Sequence, residues 1–410
     1  MKPYGPHSRV RLVAEVAIAL AGVALLVWAW RADRAWFEMH VGEEFCTVRP
    51  EQEHARLVWR WVAAALGSAL LLGVRPLAGR WASRRSARAA AFDAGMIAAA
   101  ALLALVVSDL VLRRRRPTVV LGPQPPPSIL PPIREDPRYG WSYTPGTSAV
   151  MRTGDHDVEY AIDALGDRAR STDAAPDLAG PTILLVGESF ASGIGVSWRD
   201  SLAGQLQTRL AVPVVDSSVW GFDHGQEYLR MRDVLPRLAH PLAVVVLTVV
   251  QQVERDGRDS FAWHPRFTVA GGSLEPLPRP MAWWTGSALR QRLHDVVPLH
   301  DDAGVAVARA LLSAMAREAR ARGAYPLLVL TNWGPPCMPD ATGAPASEHL
   351  LFDGVDAPHV RVDLDPSAED PVTHHPTPRG QGMLADAVVK ALVAARVVSV
   401  PAPAAPGPAP

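Results

Sequence analysis

The chain has 410 residues, with 41 Lys and Arg against 41 Asp and Glu, so its formal net charge is zero. A balanced charge gives no global field that would point to nucleic acid, and the length allows more than one structural unit. The two cysteines, Cys46 and Cys337, lack metal-ligand spacing; they read as two thiols or as one disulfide in an oxidising space.

Three apolar stretches come first. Leu12 to Trp30 carries one charge, Glu15; Leu57 to Val74 carries one, Arg60; Ala94 to Leu112 carries one, Asp109. Each runs to roughly the 20 residues that a bilayer core requires. The first is also open to reading as a signal peptide, but bulky Trp28 and Trp30 follow its core where small residues would precede a cleavage site. Arginines crowd the segment between the second and third stretches (Arg75, Arg80, Arg84, Arg85, Arg88), whereas the segment between the first and second is acidic. The positive-inside rule then puts the N-terminus in the cytoplasm and, after three crossings, the rest of the chain outside. Arg113 to Arg116 pull the other way.

Residues 117 to 137 hold eight prolines and read as a stiff spacer. The tail from residue 398 is Pro and Ala rich and cannot build a core. Between them, strands and helices alternate. Thr182 to Val186 reads as a strand and Ser201 to Leu210 as a helix with Leu202, Leu206 and Leu210 on one face. Val212 to Val215 is a short strand, Gln226 to Leu238 a helix, and Ala243 to Val250 an apolar strand. Gly304 to Arg322 is a helix stopped by Gly323, followed by a strand at Tyr325 to Leu330, a short one at Val360 to Val362, and a closing helix at Gly380 to Val398. This alternation predicts an α/β fold, a parallel sheet covered by helices on both faces. Residues 254 to 303, rich in Trp, Pro and His, interrupt it as an insertion. Its Trp263, Trp283 and Trp284 suit either a sugar-stacking wall or core packing.

Four polar blocks fall at the carboxyl ends of these strands, where loops of an open α/β sheet converge on one crevice. They are Gly187-Glu-Ser189-Phe-Ala-Ser-Gly-Ile-Gly, Asp216 to Gln226 with Gly221, Thr248-Val-Val-Gln251-Gln252, and His374-His375-Pro-Thr-Pro-Arg-Gly380. In order and spacing they resemble the SGNH (GDSL-type) hydrolase family over about residues 138 to 397. Gln226-Glu227 is similar to a Gln-Glu pair of bacterial members, and Asp163-Ala-Leu-Gly166-Asp-Arg168 to an Asn-x-x-Gly-Phe-Arg segment of membrane-attached ones.

The resemblance implies a three-layer α/β/α, flavodoxin-like domain at 138 to 397. It would follow an all-α region of three transmembrane helices at 1 to 116 and the linker at 117 to 137, and precede a tail at 398 to 410. It implies Ser189 as nucleophile, His375 as base and then acid, and an aspartate to orient the histidine. The family's acid position falls on Val372, so Asp370 is the candidate, with Asp365, Asp363 or a backbone carbonyl as alternatives. The oxyanion donors implied are the N–H groups of Ser189 and Gly221 and the amide of Gln251, where the family keeps asparagine. His224 and His264 read as ordinary polar residues near the crevice. Tandem His374-His375 has no partner cluster for a metal, and no cofactor is implied. The expected activity is hydrolysis of an acyl ester, an O-acetyl group on an extracytoplasmic glycan, by a membrane-anchored enzyme. Acyl transfer by the same Ser and His, or a catalytically impaired module that binds a glycan or a protein, are the alternatives.

Overall fold

A computed structural model describes residues 6–31, 50–82, 131–153, 156–174, 177–249, 252–257, 264–278, 302–333, 346–371 and 373–400, with scattered positions between 88 and 107. Cys46, Cys337, Gln251, Trp263, Trp283, Trp284, Val372, most of the stretch 94–112, most of the insertion and the tail from 401 lie outside the described residues. The chain divides into two compact units, one formed by the N-terminal helices and one by the α/β region.

In the first unit, α1 (Pro6–Arg31) and α2 (Pro50–Ala69) run into long apolar helices; α2 continues through a π-helical turn, Leu70–Val74, into α3 (Arg75–Ala82). The stretches Arg11–Arg31 and Leu57–Trp81 are long and apolar enough to cross a membrane, with mean hydropathy 2.4 and 1.7. Both have apolar side chains on their outer surfaces, Leu20 and Trp61 among them. They meet at glycines. A Cβ on Gly67 would lie 2.8 Å from the Gly22 carbonyl oxygen, and one on Gly22 would lie 2.8 Å from Leu71 Cγ. Small residues at a crossing let helix backbones approach where lipid gives no hydrophobic drive. Two charged residues within these stretches are engaged: Arg60 Nε donates to the Ala29 carbonyl at 2.8 Å, and Glu15 accepts from Arg11 Nε at 2.8 Å.

In the second unit an eight-stranded sheet has the order β12-β11-β8-β6-β7-β5-β4-β3. Its parallel part is β6 (Pro181–Gly187), β7 (Val214–Asp216), β8 (His240–Thr248), β11 (Tyr325–Trp333) and β12 (His359–Leu364). In chain order these five pair as 2-1-3-4-5, the flavodoxin-like order expected from the alternation. The connecting helices are α4 (Ser189–Ser192), α5 (Leu202–Leu210), α6 (His224–Val234), α7 (Gln252–Gly257), α8 (Asp302–Ala321), α9 (Ala346–Phe352) and α10 (Pro378–Ala394). Gly323 follows α8 with φ +75°, the left-handed conformation its C-cap role needs.

Alternation of side chains along the strands explains the three layers. Ile183 and Leu185 of β6 face α5 and α10 and pack with Leu202, Leu206, Leu384 and Val388. Leu184 and Val186 face the other way, onto Met231 of α6 and Leu312 and Met315 of α8.

Two features differ from the sequence expectation. The sheet is mixed. Strands β3 (Ser148–Thr153), β4 (His156–Ile162) and β5 (Arg168–Ala169) extend it antiparallel beyond β7. Their short polar-apolar alternation carries little signal beside the buried parallel strands. The expected spacer also ends early. Strand β1 (Ile133–Asp136) pairs with β2 (Gly140–Tyr143), and Ile133 is buried with Trp141, Tyr143 and Tyr160. Proline ahead of a strand masked this boundary in the sequence, since Pro131 and Pro132 continue the proline run into the fold. A small hairpin, β9 (Phe267–Ala270) with β10 (Ser273–Pro276), packs through Phe267 on α8 residues Val307 and Leu311.

The early start of the fold has a measurable cost attached. Ile133→Ala in the full chain should destabilise the α/β unit by about 2–5 kcal/mol, because a buried aliphatic side chain leaves a cavity. Denaturant unfolding followed by tryptophan fluorescence reads this; an unchanged midpoint would mean that residues before 138 are spacer.

Candidate functional site

Ser189 stands at the carboxyl end of β6, between β7 and β8, where the parallel strand order reverses. Open α/β sheets bind ligands outside this switch point. The turn out of the strand is tight. A Cβ on Gly187 would lie 2.5 Å from Ala191 Cβ and 2.9 Å from the Leu247 carbonyl, so glycine alone fits. Ser189 opens α4, and its N–H is among the donors that a helix start leaves without an intrahelical acceptor. Glu188 is the N-cap: Oε1 accepts from Phe190 N–H at 3.1 Å and Oε2 accepts from the Ser189 hydroxyl at 2.5 Å. Arg255 Nη2 of α7 lies 3.7 Å from Glu188 Oε2.

The loop after the serine is held from below by Arg168, which is buried. Its Nη1 donates to the carbonyls of Ser192 and, at 2.8 Å, Gly193; its Nη2 donates to Val196 at 2.5 Å. The guanidinium lies 4.1 Å from the Tyr160 ring centroid. Tyr160 Oη donates to the Ser192 carbonyl at 3.1 Å, and Tyr143 Oη donates to Ser192 Oγ at 3.3 Å. In the sequence Arg168 reads only as part of an upstream motif; its role under the serine loop depends on β5 pairing with β7, where Arg168 lies opposite Asp216.

The second block enters beside the first. Ser217 N–H donates to Leu185 O at 3.0 Å and Val219 N–H to Gly187 O at 3.1 Å. Trp220 N–H donates to Tyr143 Oη at 3.1 Å, and Gly221 follows in the left-handed region at φ +74°. Gly221 thus lies two residues beyond Val219, whose N–H bonds the Gly187 carbonyl; its oxyanion role stays an expectation. Asp223 caps α6 in a capping box with Gln226. Gln226 is thus a structural cap, and its amide also donates to Tyr139 O at 2.6 Å. Glu227 is buried against the Gln252 amide, and burial holds its carboxyl well above the ordinary range.

Of the third block, Gln251 lies outside the described residues, so its oxyanion role stays an expectation. Gln252 turns inward: it accepts from Val249 N–H at 3.0 Å and donates to Phe222 O at 3.2 Å. His224 and His264 are both fully buried, more deeply than expected of polar residues near a crevice. His224 Nδ1 meets Asp256 Oδ2 at 2.6 Å and Nε2 meets Thr248 Oγ1 at 2.6 Å, which ties α6, α7 and the end of β8 together. His264 Nε2 lies 3.0 Å from Asp223 Oδ2. Among the described residues no group of three or more His, Cys, Asp and Glu is arranged to hold a metal ion.

The late histidine arrives from the turn before α10. The edge of the His375 ring packs on Phe190, centroids 5.4 Å apart at 62°. Gln381 of α10 donates to Phe190 O at 2.9 Å and accepts from Leu202 N–H at 2.8 Å, which fixes the two loops to each other. His375 Nδ1 lies 2.5 Å from the Thr373 carbonyl. That contact requires the proton on Nδ1 and leaves Nε2 as the basic nitrogen. Burial lowers the His375 pKa; Glu188 and the Thr373 carbonyl pull it back up. Ser189 and His375 make no direct hydrogen bond, since the serine hydroxyl is on Glu188.

Asp370 is placed otherwise than expected. Its Oδ1 accepts from Thr373 N–H at 2.7 Å and Thr373 Oγ1 at 3.1 Å, so it staples the turn, while the carbonyl of Thr373 takes the Nδ1 position. The five-residue separation from His375 is what makes the difference: it closes a turn, with Asp370 N–H on His375 O at 2.8 Å. Asp365 pairs with Arg379 and Asp363 with Arg361. His374 points outward at φ +58° onto Glu369.

No family model matches the chain. No curated protein matches it. Among the solved structures that match is a lipolytic protein of the G-D-S-L family from Desulfitobacterium hafniense, 13% identical over 53% of this chain and 99% of its own, with a TM-score of 0.30. A G-D-S-L family member from Veillonella parvula is 9% identical over 52% of this chain and 99% of its own, TM-score 0.29. A carbohydrate acetylesterase family member from Sinorhizobium meliloti is 16% identical over 52% and 100%, TM-score 0.27. Likeness at this level leaves the chemistry to be argued from the chain's own residues.

Asp216 offers a pH test of this architecture. Burial raises its carboxyl to about 7, against the pull of Arg168. The folded state then holds a proton that the unfolded chain loses near the ordinary value of 3.8. Asp216 therefore lowers stability as pH rises from about 4 through 7, by on the order of 4 kcal/mol in total. Asp216→Asn should remove this component: relative to wild type it gains stability at pH 8 over pH 4.5. Urea unfolding at both pH values checks it, and parallel curves for the two proteins would rule the shift out.

Proposed function

We propose that the chain is a serine ester hydrolase, with Ser189 as nucleophile and His375 as general base. The observation that carries this reading is the pairing of a serine at a helix start, at the sheet's switch point, with an imidazole whose Nδ1 is locked by a carbonyl and whose ring packs on the residue after that serine. The Ser189 Oγ–H rotates from Glu188 to His375 Nε2. As Oγ bonds to the ester carbonyl carbon, its proton passes to Nε2, and the carbonyl oxygen becomes an oxyanion facing the N–H groups of Ser189 and Gly221, with Gln251 as the proposed third donor. The imidazolium then gives its proton to the leaving alcohol as the C–O bond breaks. Water repeats the sequence on the acyl-serine with His375 as base again.

An O-acetyl ester on a glycan outside the cytoplasm is the substrate class we propose, on the sequence resemblance and the anchoring helices. Acyl transfer differs only in the alcohol that replaces water. The second reading is a binding module, favoured by two observations: the serine hydroxyl rests on a carboxylate, and no carboxylate meets His375 Nδ1. Turnover of p-nitrophenyl acetate by the detergent-solubilised full chain separates them. Ser189→Ala and His375→Ala should each lower kcat/KM by on the order of a thousandfold. Turnover that survives Ser189→Ala sinks the serine mechanism.

We further propose that the chain is anchored in a membrane by the two apolar helices and by the stretch 94–112, with the α/β unit outside the cytoplasm. An alkaline phosphatase fused at the C-terminus should then be active in a bacterial host. An inactive, well-expressed fusion would contradict the placement.

A further inference from the structure

We infer that Glu188 is the working carboxylate of this site: it parks the Ser189 hydroxyl at rest and, from the serine side, supplies the negative charge that faces the imidazolium of His375. This rests on the serine-hydrolase reading above and assigns a positioning role that Asp370 does not fill.

The geometry is specific. Glu188 is buried, and its two oxygens divide the work: Oε1 is fixed on Phe190 N–H and Oε2 holds the Ser189 hydroxyl at 2.5 Å. Phe190, the next residue but one, packs against the His375 ring. One short segment therefore presents the nucleophile, the carboxylate and the support for the base. The position that a third catalytic group would occupy on His375 Nδ1 is filled by the neutral Thr373 carbonyl, which orients the ring but brings no charge. Among the charged groups acting on the imidazole, Glu188 outweighs both His374, which opposes protonation, and Asp370, which favours it weakly.

The groups facing Glu188 shape its effect. Arg255 of α7 lies 3.7 Å from Oε2 and offsets part of the carboxylate's field. Glu227 of α6 is held well above the ordinary carboxyl range by burial, which works against a second negative charge beside Glu188. In the reaction the Oγ proton moves to His375 Nε2 as the Oγ–carbon bond forms. Glu188 gives up one hydrogen bond and is left with a cation to face in place of a hydroxyl.

The sign of the effect follows. Removing the Glu188 charge disfavours the imidazolium, so the His375 pKa falls and the acid limb of kcat/KM moves to lower pH. The test compares pH–rate profiles for p-nitrophenyl acetate with His375 imidazole titrations by NMR, all in the full chain. Glu188→Gln should lower kcat about tenfold and move the limb and the titration down by about one pH unit. Arg255→Gln should move both in the opposite direction, and Glu188→Asp, which keeps the charge, should restore the wild-type limb. A cap with only a structural role would change stability and leave the His375 titration in place. An unmoved titration in Glu188→Gln overturns the inference even if all activity is lost, because the NMR readout needs no turnover. Undiminished turnover in Ser189→Ala marks failure of the hydrolase reading instead, independently of where the titration falls.

Discussion

The guanidinium of Arg168 reaches up from β5, out of water, and closes on the carbonyls of Ser192, Gly193 and Val196. Those carbonyls belong to the loop that leaves α4 through a left-handed Gly193, and a backbone turning that way points oxygens inward that no helix or strand can satisfy. A lysine could meet one of them; the planar fork meets all three. Buried charge at this depth is tolerated because Tyr160 lies under it and three carbonyl oxygens accept from it. The serine loop registers on this group, and the second-block loop joins it through Tyr143, which meets both Ser192 Oγ and Trp220 N–H.

A second constraint is the amount of acid buried beneath the crevice. Glu188, Asp223, Glu227 and Asp256 all lie inside, and each is met by a different device: a helix cap and Arg255 for Glu188, a capping box for Asp223, a glutamine amide for Glu227, and a histidine for Asp256. Unpaired carboxylates here would repel one another across a low-dielectric interior. The devices explain why Gln252, which follows the expected oxyanion amide, faces the core, and why His224 and His264 are buried rather than set at the mouth.

Much of this was legible in the sequence because parallel strands buried on both faces read as apolar runs. Strands β6 and β8 and helices α5, α8 and α10 fall within a few residues of their expected bounds. Ser189 stands just past the end of β6 for the same reason, and Gly221 and His375 lie in the loops that follow β7 and β12. Strands β3 to β5 were not legible, since their alternation is short and β5 joins the sheet through β7, a partner far along the chain. Asp370 failed as an orienting acid because the sequence shows separation along the chain but not the turn that spends its carboxylate on Thr373. Glu188 reads in the sequence as a mild substitution beside the serine; only the folded cap shows one carboxylate meeting both an amide and the hydroxyl.

The antiparallel extension also changes what the sheet exposes at its borders. A five-stranded parallel sheet would end at β7, a three-residue strand with bare backbone groups. Here β5, β4 and β3 cover that side, and the new margin carries Arg152 paired with Asp157. The opposite margin, β12, presents His359, Arg361 and Asp363, with Arg361 and Asp363 paired at 2.7 Å. Charged margins resist strand-to-strand annealing between copies. A chain at high local density meets its neighbours edge-on far more often than one in dilute solution, so guarded borders let many copies crowd side by side and stay separate molecules.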